Sequence, residues 1–301
     1  MSRILVTGAP GFVGAAAVRA LTGQGDDVVA VAQPGTTTER LDGLPVTTVA
    51  VDLDDGASVA EVLARTRPEI VLHAAWYANP ADYLSSPNNL AALRATVGLF
   101  QAAAATGCRR FVGIGTCLEY ATSDRPRSEE SQCDPRTLYA SCKNAAWLIC
   151  RALALQTRSS FAWARLFYLY GPDENPGRIL PALVSAVHAK RPFPTTTGEQ
   201  VRDYLHIDDA GTALALLCHA SHKGVLNIAS GQAMRLVDFF ATAADLLGAG
   251  ELVQAGELPM RPDEEMFMVG DVTRLRGLGF APRHSTLQAG LVHTLKNWRD
   301  R

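Results

Sequence analysis

Tyr139 and Lys143 are the residues whose types and spacing most directly suggest proton chemistry. They stand four positions apart at the start of a predicted helix, so their side chains share one helical face. An ammonium beside a phenol favours the phenolate, which lowers the tyrosine pKa and suits proton transfer near neutral pH. Thr116 ends a predicted strand, where its hydroxyl could hold a substrate oxygen beside Tyr139. We predict that these three residues are catalytic; the alternative is a structural tyrosine, a surface lysine and a strand-ending threonine.

Glycines at positions 8, 11 and 14 form a second pattern with chemical meaning. An apolar run, Ile4–Val6, precedes them and three alanines follow, which predicts a buried strand, a tight turn and a helix start. The first glycine bends the chain, the second lets backbone approach a diphosphate, and the third lets the helix pack on the strand. Unpaired N–H groups at the helix start bind the anion. The pattern predicts a dinucleotide cofactor contacted by Gly8, Gly11, Phe12, Val13 and Gly14, whereas a purely structural turn would explain only one or two of the glycines.

The elements that position these residues alternate between apolar strands and longer helical patterns. The predicted strands are Arg3–Thr7, Asp27–Ala32, Val46–Val51, Glu69–His73, Arg110–Thr116 and Phe161–Leu166. The predicted helices between them lie near Phe12–Thr22, Ala57–Arg65, Leu90–Thr106 and Tyr139–Thr157. Strands that are apolar throughout are typical of a parallel sheet covered on both faces. The order predicts an α/β fold with a doubly wound parallel Rossmann sheet, whose ligands bind beyond the C-terminal strand ends.

The regular alternation of predicted strands and helices ends after Tyr170, where a segment rich in proline and glycine begins. We predict a dinucleotide-binding domain over residues 1–170, with a returning segment near 205–230. Residues 171–301 then form mainly a smaller α/β substrate lobe. Its predicted elements are helices near Ile179–Ala189, Asp208–Ala220, Leu236–Leu247 and Ser285–Trp298, a strand at Val225–Ala229, an irregular segment at Arg191–Val201 and a loop at Glu251–Pro262.

The composition of the 301 residues limits the classes of partner. Hydrophobic residues make up 48% and charged residues 19%, which is ordinary for a globular α/β protein. A net charge of −2 argues against nucleic acid or an anionic membrane surface as the main partner. The six cysteines show no paired spacing typical of metal sites, so we expect free thiols in the reducing cytoplasm. The sequence contains neither a signal-peptide pattern nor an apolar run of membrane-spanning length.

Taken together, the motifs resemble the extended short-chain dehydrogenase/reductase family, in its NAD-dependent epimerase/dehydratase group. The segment TGAPGFVG fits the family's TGxxGxxG, and Thr116, Tyr139 and Lys143 fall where the family keeps its Ser/Thr, Tyr and Lys. The resemblance implies further cofactor contacts after the third and fourth strands. These are Asp52 and Leu53, beside the adenine, and Ala74 and Ala75, in a turn that follows His73. Tyr139 and Lys143 would also contact the cofactor, with Lys143 holding the nicotinamide ribose.

The resemblance also implies a set of substrate contacts in the later part of the chain. Arginines at the positions of Arg202 and Arg261 clamp the diphosphate of a nucleotide sugar in relatives, and a planar guanidinium suits phosphate oxygens. Tyr168 stands where relatives usually keep an asparagine. Trp76, next to Tyr77, either shapes the sugar pocket or packs under the smaller lobe. The predicted substrate-binding residues are Trp76, Thr116, Cys117, Tyr168, Arg178, Arg202 and Arg261.

The end of the second strand departs from the family pattern in a way that bears on the cofactor. Gln33 follows this strand, where an acidic residue would bind the ribose of NAD and repel the extra phosphate of NADP. With Arg40 and three threonines nearby, this absence favours NADP(H). NAD(H) is the alternative if Gln33 makes the ribose contact.

The residues after Thr116 bear on the reaction. Related 4,6-dehydratases carry an Asp-Glu pair there, whereas this chain has Cys117 and Leu118, which cannot supply an acid and a base for dehydration. The prediction is reduction of a nucleotide-linked keto-sugar, an NDP-4-keto-6-deoxyhexose. The alternatives are a nucleotide-sugar epimerase, a reductase of small aldehydes or ketones, and a non-catalytic cofactor sensor, although sensors typically lose the tyrosine or lysine.

Three further expectations concern the histidines, the acidic residues after Thr116 and the oligomeric state. His73 and His206 are expected to be structural hydrogen-bond partners. The carboxylates of Glu119, Glu129 and Glu130 are expected to be solvated in a loop. By resemblance, we expect a homodimer through the helices at 90–106 and 139–157, where Leu93, Val97 and Phe100 would suit either an interface or the core.

Overall fold

A computed structural model describes residues 1–262 and 264–298 of the chain. The helices are α1 Phe12–Gly23, α2 Gly56–Thr66, α3 Asn88–Ala105, α4 Leu138–Thr157, α5 Ile179–His188, α6 Ile207–His219, α7 Leu236–Leu246, α8 Thr273–Gly277 and α9 Leu287–Lys296. The strands are β1 Arg3–Thr7, β2 Asp27–Ala32, β3 Val46–Ala50, β4 Ile70–His73, β5 Arg110–Thr116, β6 Ser160–Leu166, β7 Tyr168–Tyr170, β8 Phe193–Thr195, β9 Val201–Arg202, β10 Tyr204–His206, β11 Gly224–Ile228, β12 Met234–Arg235, β13 Val253–Ala255 and β14 Phe267–Met268.

Seven parallel strands form the central sheet in the order β11-β6-β5-β4-β1-β2-β3. The reversal of strand order between β1 and β4 is the switch point beside which open α/β sheets bind ligands. One core packs α1 and α6 against a face of the sheet, and a second packs α2, α3 and α4 against the other. The predicted doubly wound Rossmann-type fold is confirmed.

The apolar strands follow the prediction closely, with one exception at the sheet edge. β1, β2 and β5 have the predicted bounds, because a strand buried on both faces carries an unbroken apolar run. β3 differs, since Thr47 and Thr48 are exposed. As the last strand of the sheet, it is only partly covered by helices. None of the described helices is both long and apolar enough to cross a bilayer.

A smaller lobe follows β7 and has its own core, centred on Tyr170, Leu183 and Phe239. Two expectations for this lobe are wrong. The segment Arg191–Val201 is not wholly irregular, and Glu251–Pro262 is not only a loop, because β8 and β13 lie in them and pair with each other in parallel. These three-residue strands are held by partners about 60 positions apart in the chain, so no local pattern marks them.

Candidate active site

The start of α4 positions the tyrosine and the lysine. The Thr137 hydroxyl caps the helix by accepting a hydrogen bond from the backbone N–H of Ala140 at 3.2 Å. The backbone N–H of Tyr139 donates to the carbonyl oxygen of Leu84 at 3.1 Å. Together these bonds fix the first turn of α4 against the loop between β4 and α3, and they place Tyr139 and Lys143 on the face toward β5.

Lys143 is buried, with 3% of its surface exposed. Its ammonium donates a hydrogen bond to the carbonyl oxygen of Ile114 at 2.7 Å and lies 3.8 Å from the ring centroid of Trp76. Burial lowers the pKa of Lys143 to about 7, with the nearby Glu119 carboxylate acting in the opposite direction. The lysine therefore changes charge near neutral pH, and contact with the indole face favours its cationic form.

The predicted lowering of the Tyr139 pKa is wrong for this arrangement. Burial raises the pKa of Tyr139, and Tyr83 adds to the rise, while a side-chain hydrogen bond with Thr116 lowers it. Lys143 lies 5.9 Å from the phenol ring centroid and donates toward the strand instead. A phenol that holds its proton at neutral pH is suited to donate it to a developing oxyanion.

Thr116 ends β5 beyond the C-terminal edge of the sheet, as predicted, and is 7% exposed. It begins a 3-10 turn at Cys117–Glu119, in which its hydroxyl accepts the N–H of Leu118 at 3.3 Å. The Glu119 carboxylate accepts the backbone N–H of Thr116 at 2.8 Å. This reciprocal capping box fixes the threonine beside Tyr139, so the predicted catalytic group is brought together.

The expectation that Glu119 is solvated is wrong, because this residue is fully buried. Its carboxylate pairs with Nε of Arg165 at 2.8 Å and accepts Nε1–H of Trp163 at 3.0 Å. Both partners project from β6, the strand beside β5. Their fixed N–H donors take the place of the water that would otherwise solvate the carboxylate. The side chain of Glu129 is also buried and accepts the backbone N–H of Asn227 at 3.0 Å, whereas Glu130 is exposed and pairs with Arg274.

Two aromatic rings form the wall around Tyr139. Trp76 lies edge-on with a centroid distance of 6.3 Å, and Tyr83 lies edge-on at 5.0 Å. The indole N–H of Trp76 donates to Oδ1 of the buried Asn89 at 2.8 Å. Sequence reasoning missed Tyr83, Asn89 and Glu119. The available signals were an aromatic residue in the loop after β4 and the Ser/Thr-x-x-Glu spacing of a capping box after β5.

The glycine turn has the geometry that a bound diphosphate requires. Gly8 has φ +64°, and a Cβ there would lie 2.6 Å from the backbone nitrogen of Ala75. A Cβ on Gly14 would overlap the carbonyl oxygen of Gly8. α1 begins after Gly11 with no side-chain cap, so its first N–H groups face the turn. Phe12 and Val13 open this helix, and Ala74 directly follows β4. These residues fit a dinucleotide cofactor.

Other predicted cofactor residues lie beyond β2 and β3. Gln33 and Asp52 are exposed, and Asp52 accepts the backbone N–H of Asp54 at 3.0 Å. Leu53 packs partly against the core. Arg40 donates to the carbonyl oxygen of Pro10 at 3.1 Å and to that of Asp173 at 2.9 Å, so it joins the glycine turn to the segment after β7.

The histidines behave as expected. His73 is buried, with Nδ1 2.7 Å from the Thr7 hydroxyl and Nε2 2.8 Å from the Thr96 hydroxyl. Burial and the nearby Lys143 lower its pKa to about 3. His206 caps α6 through Nδ1, which accepts the backbone N–H of Asp208 at 3.2 Å. Both residues are structural hydrogen-bond partners, as predicted.

The three predicted substrate arginines differ in their burial and in their contacts. Arg202 is buried, pairs with Glu264 at 2.6 Å and lies 5.3 Å from the Tyr168 ring centroid. Arg178 directly precedes α5 at its N-cap position, and its guanidinium lies 4.9 Å from the ring centroid of Tyr83. Arg261 is exposed.

The remaining substrate candidates link these arginines to the catalytic group. The backbone N–H of Glu264 donates to the carbonyl oxygen of Arg261 at 3.2 Å, so Arg261 lies on the turn that also presents the partner of Arg202. Cys117 is buried, and burial raises the pKa of its thiol to about 12. Burial also raises the pKa of Tyr168, and Cys117 contributes to the rise.

Comparison with known proteins places this arrangement in context. The model of the NAD dependent epimerase/dehydratase family matches residues 4–229. A probable UDP-glucuronate 4-epimerase from Rhizobium meliloti is 25% identical over 85% of this chain and 87% of its own. A dTDP-glucose 4,6-dehydratase from Streptomyces niveus is 28% identical over 99% of this chain and 93% of its own. The solved structure of a UDP-N-acetylglucosamine 4-epimerase from Methanobrevibacter ruminantium, 22% identical, has a TM-score of 0.90 over 98% of this chain and 97% of that chain, a likeness of fold.

Proposed function

Since the chain belongs to the NAD dependent epimerase/dehydratase family, we propose that it reduces the ketone of a nucleotide-linked keto-sugar, an NDP-4-keto-6-deoxyhexose. The observation that carries this proposal concerns the three residues that follow Thr116, including Glu119, the nearest carboxylate. Cys117 and Leu118 cannot exchange protons at neutral pH, and Glu119 is held by Arg165 and Trp163. The catalytic group can therefore donate a proton to a carbonyl oxygen, but it lacks the carboxyl pair that dehydration requires.

The residues support the following roles in the reduction. The reduced nicotinamide, when bound, supplies a hydride to the carbonyl carbon. Tyr139 gives its phenolic proton to the oxygen as negative charge develops there, and Thr116 donates a hydrogen bond to the same oxygen. Lys143, in its cationic form, stabilises the phenolate that remains on Tyr139. The aromatic walls provided by Trp76 and Tyr83 restrict water around this proton transfer.

We also propose that NADPH is preferred over NADH. Gln33 is exposed at the end of β2, and no carboxylate stands at that position to repel an additional phosphate. Arg40 adds a positive charge near the same end of the sheet, although its guanidinium also donates to two backbone carbonyls. Gln33→Asp should shift the ratio of kcat/KM values toward NADH. An unchanged ratio would contradict the proposal that the residue at position 33 lies near the additional phosphate of NADPH.

A nucleotide-sugar epimerase is the second candidate function. Two of the relatives reported above are named 4-epimerases, and Thr116, Tyr139 and Lys143 can move a proton in either direction. An epimerase regenerates its cofactor in each turnover, whereas a reductase consumes it. A reductase of small aldehydes or ketones is the third candidate; it would not need Arg202 or Arg261.

Absorbance of NADPH with an NDP-4-keto-6-deoxyhexose distinguishes these candidates. We expect stoichiometric loss of NADPH and one equivalent of hydroxy sugar. A sugar that changes configuration without loss of NADPH would favour the epimerase. Reduction of a small ketone at unchanged rate after Arg202→Gln would favour the third candidate, since the diphosphate clamp would then be dispensable.

We further propose that the chain forms a homodimer through α3 and α4. Exposed apolar side chains support this proposal: Leu148, Ile149 and Leu155 on α4 are 48%, 41% and 77% exposed. Phe100, in contrast, is buried in the core, and Leu93 and Val97 pack against that core. Sedimentation of the wild type and of Leu148→Glu tests the proposal, and a monomeric wild type would refute it.

A further inference from the structure

Three histidines and an aspartate meet on the side of the sheet covered by α1 and α6. His206 ends β10, and Asp208 lies in the first turn of α6. His284 comes from the loop before α9, and His293 lies on α9. None of these residues belongs to the catalytic group or to the predicted cofactor and substrate contacts.

The four side chains converge on one point. One ligand atom from each lies within 4.8 Å of the ligand atoms of all the others. Oδ2 of Asp208 lies 3.3 Å from Nε2 of His293, 3.7 Å from Nδ1 of His206 and 3.9 Å from Nε2 of His284. Tetrahedral zinc with ligand bonds of about 2.0–2.1 Å separates its ligand atoms by about 3.3 Å. Movements of well under an ångström would bring each of these nitrogens to that separation from the carboxylate.

His284 provides an independent indication of a ligand. Its side chain is only 8% exposed, and Nε2 has no hydrogen-bond partner among the described residues. A buried polar atom without a partner is costly and calls for an explanation. The loop holds the histidine in place, because the Asp209 carboxylate accepts the backbone N–H groups of Arg283 at 2.7 Å and His284 at 3.0 Å.

We propose that Asp208, His284 and His293, with His206 as the fourth ligand, bind a divalent transition metal, with zinc as the best fit. Neutral imidazoles and one carboxylate form a donor set that suits zinc. The site differs from the proposed catalytic site in both ligands and location.

His206 is the secondary ligand, because both of its ring nitrogens already have polar partners. Its Nδ1 already accepts the N–H of Asp208, and its Nε2 lies 3.2 Å from the Thr294 hydroxyl. Coordination through either nitrogen exchanges one of these hydrogen bonds for the metal. Because His206 must give up a hydrogen bond to coordinate the metal, Asp208, His284 and His293 form the primary ligand set. Arg19 lies 3.7 Å from the other carboxylate oxygen, Oδ1 of Asp208, and its positive charge weakens cation binding.

Metal binding here would tie α9 to the first turn of α6. We therefore expect stabilisation of the folded chain rather than a change in the reaction. Four protein ligands would complete the coordination of the ion, as in structural zinc sites.

Calorimetric titration of the chelator-treated protein with Zn²⁺ tests the site. We expect one equivalent to bind and the thermal midpoint to rise. His284→Gln and His293→Gln should each weaken binding by about 100-fold, whereas His188→Gln, at an exposed histidine outside the cluster, should not. Co²⁺ titration of the wild type gives a readout that requires no variant, since tetrahedral Co²⁺ shows strong visible absorption bands. Absence of zinc binding by the wild type, or equal binding by all variants, would overturn the proposal.

Discussion

The ammonium nitrogen of Lys143 lies 3.8 Å from the ring centroid of Trp76, and the same indole packs edge-on against Tyr139. The loop after β4 thereby contacts both side chains of α4 that we propose to handle the proton. Oδ1 of Asn89 accepts the indole N–H and fixes the ring, which supports Trp76 as a positioning residue for the proposed catalytic pair. This contact supports the prediction that Trp76 belongs to the site; its contact with the sugar stays a prediction.

Replacing Trp76 tests that contact. Trp76→Leu should lower kcat for reduction about 10-fold, because a cation–π contact of about 1–2 kcal/mol is lost and Lys143 is released. Trp76→Phe keeps a ring in place and should lose much less. Steady-state kinetics at saturating NADPH measures both variants. Equal losses of kcat in the two variants would indicate that the volume of the side chain, rather than its aromatic face, is required at this position.

Tyr139→Phe removes the proposed proton donor while preserving the ring that packs against Trp76 and Tyr83. Turnover should fall about 10²–10⁴-fold, the range expected for loss of a general acid. Cofactor affinity, measured by fluorescence titration with NADPH, should change little. Near-normal turnover would remove Tyr139 as the acid.

The buried pair of Glu119 and Arg165 predicts a large effect on stability. Glu119→Gln leaves the Arg165 charge buried without its partner and should lower the free energy of unfolding by about 3–5 kcal/mol. Glu61→Gln is a matched control, because Glu61 pairs with Arg65 on the exposed face of α2. That change should cost less than about 0.5 kcal/mol. Urea denaturation measures both, and similar losses would contradict the role assigned to Glu119.

Arg202 and Glu264 predict opposite effects on substrate affinity. The Glu264 carboxylate lies 2.6 Å from the Arg202 guanidinium, where it would compete with the diphosphate of the proposed substrate. Glu264→Gln should therefore lower the KM for the nucleotide sugar, whereas Arg202→Gln should raise it about 10-fold or more. The KM for NADPH serves as the internal control. A rise in both KM values after Glu264→Gln would indicate that the pair only maintains the fold.

His73 predicts how stability depends on acidity. Its pKa is about 3 in the folded chain and about 6.5 when unfolded, so only the unfolded chain gains this proton between those values. The free energy of unfolding should fall by about 1.4 kcal/mol per pH unit as the pH drops from 6.5 toward 3, and His73 should have no such effect above 6.5. His73→Gln should reduce the slope in urea denaturation at pH 6, 5 and 4. Identical slopes would show that the folded histidine takes up the proton normally.

The sequence predicted those features of the fold that arise from continuous local patterns. β5 and α4 carry unbroken apolar or helical periodicity, and the spacing of Tyr139 and Lys143 follows from one helical turn. The short strands β8 and β13 have no such pattern, because their pairing depends on contacts between distant segments.

The environment of the site was harder to predict than the placement of its candidate catalytic residues. Glu119 is buried because Arg165, 46 positions later, lies on the adjacent strand. The same dependence on distant residues explains the pKa of Tyr139. Burial by Trp76 and Tyr83 determines it more strongly than the lysine one turn away.

Arg40 has a thermodynamic consequence for the two ligands of the proposed reaction. Its guanidinium joins the carbonyl oxygen of Pro10, in the glycine turn, to that of Asp173, which leads toward Arg178 and the smaller lobe. A ligand that shifts one of these segments would act on the other through Arg40, and such coupling is reciprocal. Arg40→Ala should therefore weaken the effect of bound NADPH on the Kd for the nucleotide sugar, measured by calorimetric titration.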